Sequence, residues 1–113
     1  MHEMAMCRNI LEIIEEQAAA QGFAKVKRIS LEIGPLAGVE VEALKFGFDV
    51  VTRGSLADGA TIDIIRPEAR ARCLDCGADM VIQQRYDPCP RCGSHRLQIA
   101  SGDELRVKEL EVA

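Results

Sequence analysis

Tryptophan is absent from this 113-residue chain, and its aromatic residues are one tyrosine and three phenylalanines. A core built here must be aliphatic, and stacking of nucleic-acid bases on aromatic faces is poorly supplied. No apolar run approaches the ~20 residues of a membrane-spanning helix. No basic stretch followed by an apolar one resembles a secretion leader, so the chain reads as cytoplasmic. Positive charge is not in excess either. The net charge is −4 and the pI near 5.2, which argues against nucleic acid or an anionic membrane as the main partner. Low-complexity segments are missing. So are catalytic signatures: there is no glycine-rich phosphate loop, and His2-Glu3 does not open a zinc-protease helix, because Met6 stands where the second histidine is needed. Almost half of the residues are apolar, enough for one modest core or for a small core beside a metal-stapled module.

Cysteine is the exception to this scarcity. Four of the five cysteines form two Cys-x-x-Cys pairs, Cys73-Leu74-Asp75-Cys76 and Cys89-Pro90-Arg91-Cys92, each followed by glycine. Two intervening residues let both thiolates of a tight turn face one ion. The glycine permits a positive φ, and Pro90 presets φ inside the second turn. Four converging thiolates make a closed, structural zinc site with no open position for substrate, so the metal cannot activate water. A disulfide framework suits secreted chains rather than this one, and the same ligands could hold iron. Cys7 lies on the apolar stripe of the first helix and reads as core.

The first residues, Met1-His2-Glu3, carry a second metal signature. The terminal amine, the His2 amide and the His2 imidazole can close a five- and a six-membered chelate ring in one plane. That arrangement favours Ni(II) or Cu(II) over tetrahedral Zn(II). A helix starting at once makes this cheaper, since its first amides have no intrahelical acceptor. The alternative is an ordinary terminal histidine.

Hydrophobic period divides the rest. Met4, Cys7, Ile10, Leu11, Ile14 and Ala18 form one helical face, with Gly22 as its stop. Ile29, Leu31 and Ile33 alternate with polar residues as a half-buried strand. A second helix is expected from about Val39 to Arg53. Glu40 and Glu42 suit its positive end, and Phe46 and Phe48 cannot both face one stripe. Ile62 and Ile64 mark another strand before Pro67, and Leu97 and Ile99 a short one. In the C-terminal run, Leu105 and Val107 fall in one phase and Leu110 and Val112 in the other, which calls for a bulge or a change of partner near Lys108-Glu109.

Two strands are too few for a stable sheet, so the C-terminal strand should return to complete it. The expected fold is α+β: a small three-stranded sheet with two helices and an inserted zinc-ribbon-like module. The expected division is residues 1–66 plus 101–113, and 67–100.

The N-terminal triplet, Gly38-Val39-Glu40 before the Leu-x-Phe-x-Phe-Asp run of Leu44 to Asp49, and the two knuckles resemble, in this order, the HypA/HybF nickel metallochaperones. The resemblance covers essentially the whole chain. It implies a carrier that delivers Ni(II) to [NiFe] hydrogenase, working with a nickel-handling GTPase accessory protein and the hydrogenase large-subunit precursor. It also implies nickel held around His2, with Glu3 and Glu40 as further candidates beside the Met1 amine of the chelate reading, and structural Zn(II) on Cys73, Cys76, Cys89 and Cys92. The rival reading is a zinc-ribbon module that binds nucleic acid or protein without nickel. Six arginines between residues 66 and 96 give it some support, but the formal charge there is only +2, which compensates the −2 of a zinc tetrathiolate. A redox role for the Cys-x-x-Cys pairs is suppressed if they hold zinc. His95 reads as a solvated loop residue.

Overall fold

The computed structural model describes residues 3–113, so Met1 and His2 lie outside the described residues. The chain runs α1 (Glu3–Gln21), β1 (Val26–Ile33), α2 (Val41–Val51), β2 (Thr61–Ile65), β3 (Ala69–Cys73), β4 (Asp79–Ile82), β5 (Leu97–Ser101) and β6 (Leu105–Val112). Two three-stranded sheets result, ordered β2-β1-β6 and β4-β3-β5. The fold is thus α+β, and the last strand returns to pair with β1.

Two compact units divide the chain. The first comprises residues 1–31, 39–64 and 106–113, and the second 32–38 and 65–105. In the first unit, α1 ends where Gly22, at φ +80°, donates its N–H to Ala18 O at 2.8 Å. The stripe of α1 is buried at Cys7, Ile10 and Ile14. Val26, Ile29 and Leu31 of β1 and Leu44 and Phe48 of α2 are also buried in this unit, and α1 packs on α2. Each such Ile, Leu or Phe contributes about 1.5–3 kcal/mol. Gly47 sets how closely the helices approach. A Cβ there would lie 3.0 Å from Cys7 Sγ and 3.1 Å from Met4 Sδ.

The structure decides between the two phenylalanines of α2. Phe48 is 1% exposed and Phe46 70%. It also shortens α2 relative to the sequence expectation, because Glu40 caps its start and Thr52 its end. β1 starts three residues earlier than its alternation suggests. Lys27 and Arg28 are both exposed, and this pair hides the link between buried Val26 and buried Ile29. In β6 the half-buried positions are Leu105, Val107 and Leu110, so the phase changes across Lys108-Glu109 as the sequence implies.

The second unit has its own small core of Leu36, Ala69, Ala71, Cys73, Met80, Ile82 and Cys89. β3 buries Ala69, Ala71 and Cys73 and exposes Arg70 and Arg72. It pairs antiparallel with β4, placing Ala71 opposite Met80 and Arg72 opposite Asp79. On its other side it pairs with β5, with a register shift between Arg70 and Ala71. Gly102 lies against Ala69 at φ +117°, and any Cβ at that position would overlap Ala69.

Candidate metal centres

The first knuckle grows directly out of β3. Cys73 is its last residue, and the chain then turns back through Cys76 and Gly77, whose N–H bonds Cys73 O at 2.9 Å. The second knuckle repeats this geometry. Gly93 N–H bonds Cys89 O at 2.8 Å, and both glycines have φ +77°. A residue with a Cβ would be strained at either place.

The four sulfurs converge. All lie within 4.8 Å of one another, with Cys73 Sγ 3.6 Å from Cys92 Sγ and Cys76 Sγ 3.7 Å from Cys89 Sγ. Zinc–sulfur bonds of about 2.3 Å in a tetrahedron give sulfur–sulfur edges of about 3.8 Å, so the donor set and its spacing fit one tetrahedral ion. Among the described residues no other group of His, Cys, Asp or Glu side chains converges in this way. Cys73 and Cys89 are buried, Cys76 is half-buried and Cys92 is exposed, so the centre faces solvent through the second knuckle.

The thiols are not equivalent. The Cys76 N–H points at Cys73 Sγ, 3.4 Å away, and this amide, with that of Asp75, holds the Cys73 thiol down to about 6 against the opposing effect of desolvation. The Cys92 amide likewise lowers Cys89. At Cys92 the Ser94 amide pulls down, but the neighbouring sulfurs of Cys73, Cys76 and Cys89 outweigh it and push the thiol up to about 12. Four like charges this close cannot form together unless a cation joins them.

Cys7 behaves differently. It is fully buried, its Sγ–H donates to Leu44 O at 3.3 Å, and burial pushes its pKa up to about 11. It is a protonated core residue. His95 is exposed, with Nδ1 3.1 Å from Tyr86 O. It is not part of the four-sulfur cluster.

At the other end of the chain, Glu3 and Glu40 come together. Glu3 opens α1 and is buried at 8% exposure, and one of its oxygens lies 3.5 Å from the Glu40 amide, whose N–H it accepts. The Glu40 carboxylate accepts the N–H groups of Glu42 at 3.4 Å and Ala43 at 3.1 Å, capping α2. The Glu3 carboxylate and the Glu40 main chain thus join two sequence-derived candidates. Met1 and His2 lie outside the described residues. Sequence reasoning missed one set of residues at the knuckles, Asp75, Ser94 and Arg96, which bond to one another across the two turns. Nothing in their spacing announces this.

The chain is matched over residues 1–112 by the family model described as "Hydrogenase/urease nickel incorporation, metallochaperone, hypA". It is 62% identical over 112 residues to the hydrogenase maturation factor HypA of Azotobacter chroococcum mcd 1, and 59% identical to that of Azotobacter vinelandii, each covering 99% of both chains. Its structure is similar to the solution structure of the Ni metallochaperone HypA from Helicobacter pylori. The TM-score is 0.72, with 25% identity, over 99% of this chain and 97% of that one.

Proposed function

The chain belongs to the HypA family of hydrogenase maturation metallochaperones and is not an enzyme, and from that premise we propose that it binds Ni(II) at its N-terminus and delivers it to [NiFe] hydrogenase. The Met1 amine, the His2 amide and the His2 imidazole supply the donor set, with Glu3 and Glu40 as further candidate ligands. The resident metal is Zn(II), held by Cys73, Cys76, Cys89 and Cys92 in a purely structural role. The module of residues 67–100 is the zinc-binding part, and residues 1–66 plus 101–113 form the nickel-binding part.

The observation that carries this reading is the span of the family match. It runs from residue 1 through the knuckles and so includes both donor sets. The four sulfurs support the zinc assignment by their edge lengths, and their saturation of one ion suits a fold-stabilising metal rather than a cargo site.

The carrier works through protein contacts, with a nickel-handling GTPase as donor and the hydrogenase large-subunit precursor as recipient. Among the described residues no helix is long and apolar enough to cross a membrane, and the reading places this exchange in the cytoplasm.

The test is Ni(II) titration of the untagged protein beside two variants. A residue added before Met1 turns the amine into an amide, and His2→Ala removes the imidazole. Both should abolish tight nickel binding while one zinc per chain remains. Binding should also weaken as pH falls, because an amine of pKa about 7.7–8.0 and an imidazole of about 6.5 must lose protons to bind the metal. Tight nickel binding by the extended chain, with the extension excluded as ligand, refutes the site. Normal hydrogenase activity in a deletion strain under limiting nickel refutes the delivery role.

A further inference from the structure

One carboxylate joins the two knuckles. Asp75 stands between the two ligands of the first, and both of its oxygens are engaged by the second. Oδ1 accepts Arg96 Nη1 at 2.5 Å, and Oδ2 accepts the Ser94 hydroxyl. Ser94 Oγ itself accepts the Arg96 N–H at 3.0 Å. The main chain closes the same junction, with Leu74 N–H on Arg96 O at 2.8 Å, and inside the second knuckle Cys89 N–H bonds Ser94 O at 2.7 Å.

The residue type is informative. Four thiolates around a divalent cation leave a charge of −2, and a carboxylate between two of them adds another negative charge to that field. Turn geometry alone could be met by Asn or Ser. The position carries an acid that opposes its surroundings, and the guanidinium of Arg96 meets it from across the junction.

Metal loss requires the knuckles to part, because each supplies two of the four sulfurs. We propose that Asp75 is a positioning residue for the metal centre: its carboxylate latches the second knuckle to the first and slows the escape of zinc. This rests on the zinc assignment above. In a carrier whose cargo is another divalent metal, slow escape keeps the resident ion out of the exchange.

The Arg96 and Asp75 side chains are 70% and 38% exposed. Water and salt therefore weaken the latch, and the effect is modest. The experiment follows zinc transfer from the full-length, zinc-loaded protein to an excess of a chromogenic chelator. Asp75→Ala and Arg96→Ala should each speed release by about fivefold, the scale of one charge-assisted hydrogen bond in a solvated setting. The double variant should release no faster than Asp75→Ala, because the Arg96 guanidinium acts through Asp75, whereas Asp75 also holds the Ser94 hydroxyl. Added salt should accelerate the parent protein and leave the variants nearly unchanged. Arg91→Ala removes an equal charge from the second knuckle without touching Asp75, and should release zinc at the parent rate.

Parent-like release from Asp75→Ala, or a double variant equal to the product of the two singles, overturns the latch. If Asp75→Ala takes up no zinc, Arg96→Ala and Asp75→Asn make the same comparison. A parent protein that contains no zinc at all contradicts the assignment beneath the proposal, which the zinc content of the starting material reports separately.

Discussion

The Glu3 carboxylate accepts the backbone N–H of Glu40, so the first turn of α1 is tied to the cap of α2. Glu40 has two possible employments there. Its carboxylate caps α2 through the Glu42 and Ala43 amides, and the family resemblance makes it a nickel-ligand candidate. Serine caps a helix well but offers no carboxylate. Glu40→Ser should therefore keep or slightly raise the melting temperature. If the carboxylate ligates nickel, the same change should lower Ni(II) affinity by at least ~10-fold. Calorimetric titration together with thermal unfolding separates the two roles, and unchanged nickel affinity removes Glu40 from the ligand set.

Cys76→Ser should release zinc and disorder the second unit, while most of the α1 helical signal persists. Structural zinc in small fingers contributes on the order of 10 kcal/mol, far more than the small core of Leu36, Met80, Ile82 and three alanine or cysteine side chains of β3 can replace. Zinc analysis and far-ultraviolet circular dichroism read this out. One tightly held zinc per chain in the variant would falsify the tetrathiolate assignment.

Zinc uptake should release fewer than four protons per ion at neutral pH, because Cys73 is held down to about 6 by the Cys76 amide and is already mostly thiolate. Cys92, pushed up to about 12, keeps its proton until the metal displaces it. The sign for stability follows. An acid depressed on folding supports the fold above its unfolded pKa, near 9, and ceases to do so as pH falls through about 6. Cys92 has the opposite sign and opposes the zinc-free fold only at alkaline pH, above about 9. The metal-free module should accordingly lose the Cys73 contribution between about pH 9 and pH 6. Calorimetry of zinc binding in two buffers of different ionisation enthalpy counts the protons, and a count of four contradicts the ordering.

Phe48→Ala should cost about 3–5 kcal/mol of stability, the usual toll of emptying a fully buried aromatic site, since Phe48 is 1% exposed. Phe46→Ala, at 70% exposure, should change stability by no more than about 0.5 kcal/mol. Urea unfolding of both variants checks the assignment. Equal losses would mean that the two faces of α2 have been confused.

Much of this was readable in the residues. Helical spacing from Met4 to Ala18 marks α1, and the doubled knuckle marks the four-sulfur cluster by spacing alone. The need for a third strand led to the return of β6 beside β1. What escaped notice had weak local signals. β3 alternates alanine and cysteine with arginine, and Ala69 and Ala71 are too small to stand out as a buried face although both are buried. β4 has only four residues. Glu40 as an N-cap was hidden because glutamate is not among the residues that favour that position. The pair Phe46 and Phe48 was undecidable from α2 alone. Burial depends on which side α1 occupies, and that is a property of packing at Gly47.

The strands on either side of β1 are β2 and β6, and the whole stretch from Ile65 to Leu105 is threaded between them. While zinc is in place, this stretch is an ordered connector. Without it, the sheet must close a flexible loop of about forty residues, an entropic burden on the order of 3 kcal/mol. The β2-β1-β6 sheet should therefore lose stability when zinc is removed, although none of the four cysteines belongs to it. Its hydrogen-exchange protection should fall on chelation of an ion that none of its own side chains binds.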